Sequence, residues 1–241
     1  MTKYLFLILL ASFIGSCGTD DNTVLEKEEP NYFPLSPGNW YIYKVDSIDF
    51  VKRPYDTLRY WIKEVVKQET ESLDGQTYHQ LYVFKKYNWE DSWAKIRTDL
   101  VYKDDELAKR YEGNVMYVKQ TYPTSKDVEW NAAPFNEVSE LYGDRVTFKG
   151  ANYAKIDDYH LLKDRGYDST LHVELFAHYD FINRIDFRER YANHVGLYQK
   201  FELNAEFQPK DPEQTDSVGN MIPNSGYKFI QTLVDHHIEN K

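Results

Sequence analysis

From Phe33 onward, apolar and aromatic runs are separated by turn residues at intervals of about ten to fifteen residues, a spacing typical of consecutive strands in an antiparallel sheet, sandwich or barrel. The clearest run covers residues 197–207, in which apolar and charged side chains alternate. Because successive side chains of a strand point to opposite faces, this pattern predicts an apolar face toward the core and a charged face toward water. Helical periodicity is scarce, and residues 134–141 are the best candidate for a short helix.

Ten further runs predict strands. They cover residues 40–45, 58–67, 77–86, 93–102, 107–111, 115–122, 145–149, 171–178, 183–191 and 227–234. Gly75 and Gly113 lie between neighbouring runs, where glycine accepts the positive φ of a tight hairpin turn. The predicted fold class is all-β and mainly antiparallel, with a single curved sheet forming an open barrel or half-barrel. A β-sandwich is the alternative.

Residues 33–241 are predicted to form one β-rich domain, because no internal repeat and no linker rich in glycine and serine divides them. Residues 208–226 are exceptional within this domain. They contain three prolines and two glycines and hardly any apolar side chain, which predicts a long loop between the last two strands.

The first seventeen residues have the pattern of an export signal. Lys3 precedes an apolar run from Tyr4 to Ile14, which is too short for a hydrocarbon core that needs about 20 residues but is typical of a secretory signal peptide. The run ends in Ile-Gly-Ser-Cys, which resembles a bacterial lipobox, and Cys17 is the only cysteine. We therefore predict a lipoprotein signal peptide over residues 1–16 and lipidation of Cys17, including a palmitate-type acyl chain. An ordinary signal cut near Ser16 is the alternative.

Residues 17–32 are predicted to be an acidic tether behind this lipid anchor. This stretch contains five acidic residues and one basic residue, Lys27, and it is therefore too charged to pack into a core. Acidic residues after the lipidated cysteine resemble the surface-export signal of Bacteroidetes-type lipoproteins. This resemblance implies an outer-membrane protein that faces outward, and a solvated spacer on a periplasm-facing protein is the alternative.

The net charge of the chain restricts which molecules it can bind. The chain has 29 basic and 39 acidic residues and a net charge of -10, and no basic stripe that could follow a phosphate backbone. Nucleic acid is therefore excluded as a partner. An acidic surface is also repelled by anionic lipid headgroups, so the membrane is predicted to be a partner only through the lipid at Cys17.

No motif in the chain indicates catalysis, a cofactor or a metal ion. The seven histidines lack the spacing that places two imidazoles on one helical face around zinc, and no nucleophile elbow or phosphate-binding glycine loop is present. Asp157, Asp158, Asp164 and Asp168 cluster around Gly166 in a predicted turn, but their spacing does not match the calcium-loop template. We predict no catalytic residue, no cofactor and no metal site.

Several segments together resemble a family of uncharacterised Bacteroidetes-type exported lipoproteins, which are β-rich and of unknown function. The segments are residues 33–35, 38–43, 114–119, 122–123, 130–131 and 191–197. The resemblance implies location and fold, and it implies no activity.

Function is predicted from the aromatic content, which is 16% of the chain and mostly tyrosine. Aromatic rings at the mouth of a curved sheet can stack on sugars or enclose an amphipathic ligand. We therefore predict a non-catalytic ligand-binding or envelope-interaction module, with a surface hydrolase of glycans or peptides and a structural partner of an envelope complex as alternatives. The predicted ligand-binding residues are Trp40 and Tyr191, at one end of the sheet near the loop at residues 208–226.

Overall fold

The structure is a computed structural model that describes residues 30–52, 54–73, 75–134, 150–162, 165–207 and 223–239. Cys17, the signal peptide and most of the tether lie outside the described residues. So do the candidate helix beyond Pro134, the predicted strand at residues 145–149 and most of the loop at residues 208–226. The described part of the chain contains no helix with the length and apolar character needed to cross a membrane.

Twelve strands make up the secondary structure of the described residues. The first six are β1 (Trp40–Asp49), β2 (Asp56–Leu73), β3 (Gln76–Lys86), β4 (Ala94–Lys103), β5 (Leu107–Glu112) and β6 (Val115–Thr121). The other six are β7 (Glu129–Trp130), β8 (Ala151–Leu162), β9 (Arg165–Tyr179), β10 (Asn183–Ala192), β11 (Gly196–Glu206) and β12 (Ser225–His237).

All twelve strands belong to one antiparallel sheet with the order β6-β5-β4-β3-β2-β1-β12-β11-β10-β9-β8-β7. The chain thus runs as two meanders of six strands, and pairing of β1 with β12 joins them. The sheet curls into a barrel that is nearly closed, with one unsealed seam. The all-β open barrel is confirmed, and the sandwich alternative is wrong because the strands form a single sheet.

The seam lies between β6 and the β7–β8 edge, and individual hydrogen bonds cross it in place of a backbone ladder. The Trp130 Nε1 donates to the Val118 carbonyl at 2.9 Å, and the Val118 amide donates to the Ala132 carbonyl at 2.9 Å. The Thr121 amide donates to the Tyr153 hydroxyl at 2.8 Å. Two side chains and one backbone hydrogen bond therefore connect the two edges where strand pairing stops.

The chain before β1 packs into one end of the barrel. The Asn31 amide donates to the Asn193 Oδ1 at 2.7 Å, and the Tyr32 side chain is buried with its hydroxyl 2.8 Å from the Ser169 Oγ. The ring of Phe33 lies 6.2 Å from that of Tyr191. Asn31 and Tyr32, which the sequence pattern placed in the tether, thus contact the folded domain.

Two stretches show where local sequence signals agree with the observed strands and where they do not. Gly75 and Gly113 both have positive φ and form the predicted hairpin turns. In contrast, the acidic cluster at Asp157 and Asp158 was predicted as a turn but lies inside β8, which pairs with β9. That prediction was wrong because β8 pairs with β9 on both sides of Asp157, and Asp158 itself pairs with Thr170. This pairing outweighs the low strand propensity of aspartate.

Gly226 offers a test of the pairing between β11 and β12. A Cβ at this position would lie 2.0 Å from the Asn204 carbonyl oxygen, and φ is +99°. Gly226→Ala should therefore lower the free energy of unfolding, measured in urea, by about 3 kcal/mol or more, the sum of left-handed strain and overpacking. Gly75→Ala is the control, because Gly75 also has positive φ but no atom within 4 Å of an added Cβ. Its expected loss is about 1–2 kcal/mol, and equal losses in the two variants would contradict the account.

Candidate functional site: a charged chamber inside the barrel

The polar face of β11 points into the barrel. Five strands separate β11 from β5 in the sheet, yet the Lys200 Nζ on β11 lies 3.5 Å from the Glu112 Oε2 on β5. That contact has to cross the lumen. Phe201, the next residue, consequently points outward. The sequence-based prediction that the charged face of this strand meets bulk water is therefore wrong.

Two lysines each bridge two carboxylates in the lumen. The Lys119 Nζ lies 2.8 Å from the Glu112 Oε1 and 2.9 Å from the Glu189 Oε1. The Lys200 Nζ contacts Glu112 and also lies 2.7 Å from the Glu202 Oε1. Glu112 is shared by both lysines, so the five groups form one connected cluster that we call the lysine bridge.

Arginines extend the lysine bridge deeper into the first meander. The Arg110 Nη2 lies 2.6 Å from the Glu64 Oε1 and 2.7 Å from the Asp99 Oδ2. Asp99 also accepts from the Arg97 Nε at 2.8 Å, and the Arg110 Nε is 3.7 Å from Glu112. The network as a whole sets four cations against five carboxylates.

Mutual pairing keeps these groups ionised. Burial favours the neutral form of Glu112, but Lys119, Lys200 and Arg110 outweigh it and hold its pKa well below the usual range. The pKa of Glu189 is likewise lowered, because the two lysines outweigh its burial. Burial lowers the pKa of Lys200, but its carboxylate neighbours reverse this and raise the pKa well above the ordinary value.

A chamber of about 250 Å³ adjoins the lysine bridge. Leu175, Phe176 and Phe187 form an apolar wall, while the rings of Tyr117 and Tyr227 lie near the charges. The side chains of Glu112, Lys200 and Glu202 are 16–20% exposed, whereas those of Lys119 and Glu189 are 4% and 2% exposed. The chamber is therefore more open at Glu112, Lys200 and Glu202, and Lys119 and Glu189 form its floor.

The charged groups at the chamber are all paired, but they keep hydrogen-bonding capacity. A lysine ammonium has three donors and a carboxylate has about four acceptor positions, so ion pairing leaves some of each free for a ligand. Among the described residues, no group of three or more His, Cys, Asp or Glu side chains is arranged to hold a metal ion. The geometry therefore favours binding of a polar molecule through hydrogen bonds and ring contacts.

A larger cleft of about 570 Å³ lies at the end where the chain enters the barrel. Residues 31–37 and the β4–β5 hairpin border it, and the Lys103 Nζ donates to the Asn31 Oδ1 across it at 2.7 Å. Burial lowers the pKa of Lys103. The cleft is open and lacks the connected set of charges that defines the chamber.

The two predicted ligand-binding residues lie on opposite faces of the sheet. Trp40 is on the outer face, where its ring stacks on His237 at 6.2 Å. Tyr191 is buried inside, and its hydroxyl donates to the Glu189 carboxylate beneath the chamber. Neither residue lines the chamber or the cleft. Both lie at the strand ends opposite Glu206 and Ser225, the described residues from which the β11–β12 connection begins and ends. Their role in binding stays a prediction.

The sequence-based search missed the chamber residues. Arg110 and Glu112 alternate with outward residues on a short strand, as Lys200 and Glu202 do on β11. Such alternation is the available signal, but it indicates two faces without showing which one lines a lumen. Only the contacts across the barrel show which face of each strand lines the lumen.

Comparisons with known proteins give little further information. No protein family model matches the chain, and no curated protein matches it. One solved structure is similar, a crystal structure described as "a putative lipoprotein" from Parabacteroides distasonis. It has 12% sequence identity and a TM-score of 0.43, and the alignment covers 86% of this chain and 99% of that one. These values are too low for an argument about function, which has to rest on the chain's own residues.

The lysine bridge is predicted to be a main source of stability. Lys119→Met keeps the aliphatic stem but leaves Glu112 and Glu189 without their shared cation. Removing one partner of a buried ion pair costs about 3–5 kcal/mol, so the free energy of unfolding in urea at pH 7 should fall by that amount. Lys155→Met is the control, because its ammonium pairs with Asp158 on the surface and should contribute less than about 1 kcal/mol.

The same variant should show a characteristic pH dependence. Glu112 and Glu189 have folded-state pKa values below the unfolded value of about 4.3, so their stabilisation is fully present above that pH. It is lost as the pH falls through the folded-state values. The difference between wild type and Lys119→Met should therefore narrow as the pH is lowered from 5 to 3, and a constant difference would contradict the assignment.

Proposed function

We propose that this chain is a lipid-anchored, non-catalytic binding protein of the bacterial outer membrane, which takes a small uncharged polyhydroxyl ligand into its barrel chamber. The anchor part of the proposal is supported by the apolar run and lipobox-like residues that end at Cys17, and the acidic residues after Cys17 support an outward-facing position. The chamber is the observation that supports the ligand-binding part of the proposal.

The choice of an uncharged ligand follows from the lysine bridge. Each lysine already contacts two carboxylates, so a charged ligand would have to displace a buried ion pair. A sugar or polyol can instead use the donors and acceptors that remain, and its apolar face can lie against Tyr117 or Tyr227. The volume is below the 300–1,000 Å³ or so of drug-sized pockets, which favours a ligand about the size of a monosaccharide.

The state of the carboxylates weighs against the hydrolase alternative. A glycoside hydrolase needs one carboxyl group with a raised pKa as its proton donor. Two of the three carboxylates that line the chamber, Glu112 and Glu189, have lowered pKa values, so neither of these two suits that role. The chamber also weighs against a purely structural partner, for which a fully packed interior would be expected.

Lipid anchoring is tested with Cys17→Ala. The wild-type protein should partition into the detergent phase of Triton X-114 and carry an acylated Cys17 by mass spectrometry. The variant should retain residues 1–16 or be released into the aqueous phase, because no other thiol can accept the lipid. A processed variant that still partitions with detergent would contradict the anchor. Digestion by proteinase K on intact cells then separates an outward-facing from a periplasm-facing protein.

Chamber binding is tested by calorimetric titration of the purified protein with neutral hexoses, N-acetylhexosamines and polyols. Tyr227→Ala removes a ring from the chamber and should weaken binding about tenfold or more. Tyr102→Ala is the matched control, since this half-buried tyrosine lies at the other cleft. Absence of binding across the panel, or equal binding by the two variants, would contradict the proposal.

A further inference from the structure

An outer groove of about 280 Å³ lies on β10, β11 and β12, on the face opposite the chamber. Arg184, Arg188 and Arg190 project from one side of β10, and Phe201 and Ile230 form an apolar floor. The remaining lining residues are Asp186 and Gln199. On a chain with a net charge of -10, three arginines on one strand face are a local reversal of charge.

Two of these arginines lack a carboxylate partner among the described residues. Arg188 pairs with Asp186 at 2.6 Å. Arg190 instead donates to the Gln199 Oε1 at 2.7 Å and to the His160 Nε2 at 3.3 Å, both neutral acceptors. The contact of Arg184 is with the ring of Tyr179, 5.4 Å from its guanidinium carbon. The groove therefore has two positive charges that no described anion balances.

The surroundings of Arg190 show that its charge is not neutralised locally. Burial lowers the pKa of His172 to about 4, and Arg190 adds to the effect. His160 also has a lowered pKa, with burial as the first cause and Arg190 as the second. Both imidazoles are neutral near pH 7, so neither shares nor offsets the charge of the guanidinium. Lys155 and Asp158 also act on both imidazoles, but they pair with each other at 2.8 Å.

The shape of the groove restricts the ligand. Arg184 and Arg190 are six residues apart on one strand, which places their backbones about 20 Å apart. A single inorganic anion cannot contact both ends, so a ligand that uses both arginines has to be extended and carry anionic groups along its length. β10, β11 and β12 are each paired on both sides, so no free strand edge is available for a peptide backbone.

We propose that this groove binds an acidic oligosaccharide, with uronate-type carboxylates on Arg184 and Arg190 and a sugar face on Phe201. A guanidinium binds a carboxylate through two parallel hydrogen bonds. The Gln199 amide is placed to hydrogen-bond sugar hydroxyls, and the apolar floor excludes water beneath the rings. The groove and the chamber lie on opposite faces of β10 and β11 and share two lining residues, Arg188 and Phe201. Binding in the groove requires neither the chamber's ligand nor the lipid anchor.

The test is calorimetric titration of the full-length protein with a trimer of galacturonic acid. The wild-type protein should bind it, and affinity should fall as salt is raised because the contacts are charged. Arg184→Gln and Arg190→Gln should each weaken binding about tenfold or more. Arg59→Gln is the matched control, since Arg59 lies on the outer face of β2 with Asp46 as its partner at 2.9 Å, and it should bind as wild type does.

Further measurements separate loss of binding in the groove from loss of folding and from binding in the chamber. Arg184 is exposed and has only a ring contact, so Arg184→Gln should keep the wild-type melting temperature even if Arg190→Gln does not. The fully methyl-esterified trimer should not bind, and Tyr227→Ala in the chamber should bind the acidic trimer normally. The proposal is overturned if the acidic trimer does not bind, if Arg184→Gln binds it as wild type does, or if inorganic phosphate or vesicles of phosphatidylglycerol compete for the arginines at equal concentration of charge.

Discussion

Ion pairs across the lumen are the constraint on which the barrel depends. Pairing of β1 with β12 is the one strand ladder that joins the two six-stranded meanders in the described residues. Besides the hydrogen bonds at the seam, Lys119 and Lys200 connect the two meanders, because the ion pairs of each lysine join residues of both. Their burial is tolerable only while every charge keeps its partners, which fixes the distance between opposite walls.

Apolar packing is divided to leave room for these charges. One cluster of buried side chains gathers around Leu171, Val173 and Phe187 in the second meander, and another around Tyr43, Val45 and Val83 in the first. Each cluster excludes water from its own side. The two clusters share Phe33 and Leu197 as packing partners. Leu175, Phe176 and Phe187 of the first cluster form the apolar wall of the chamber, so the packing that stabilises the second meander also lines the chamber.

The sequence predicted the strands and the barrel well because period-two alternation and glycine turns are local signals. It failed wherever the outcome depended on a distant strand. Lys200 and Glu202 have the alternation of a solvent-facing row, and their inward direction follows only from Glu112 across the lumen. Asp158 joins a strand because β9 pairs with it. Tyr191 was predicted from its aromatic character, but its burial against Phe33 depends on a segment about 160 residues earlier.

The seam between β6 and β8 allows the circumference of the barrel to change. A fully closed barrel can widen only by breaking a whole ladder of backbone hydrogen bonds, whereas here the bonds made by Trp130 and Tyr153 hold the two edges at separate points. These points can exchange partners with water one at a time. Lys119 lies on the strand that forms one edge of the seam, so any breathing of the barrel there changes the floor of the chamber directly.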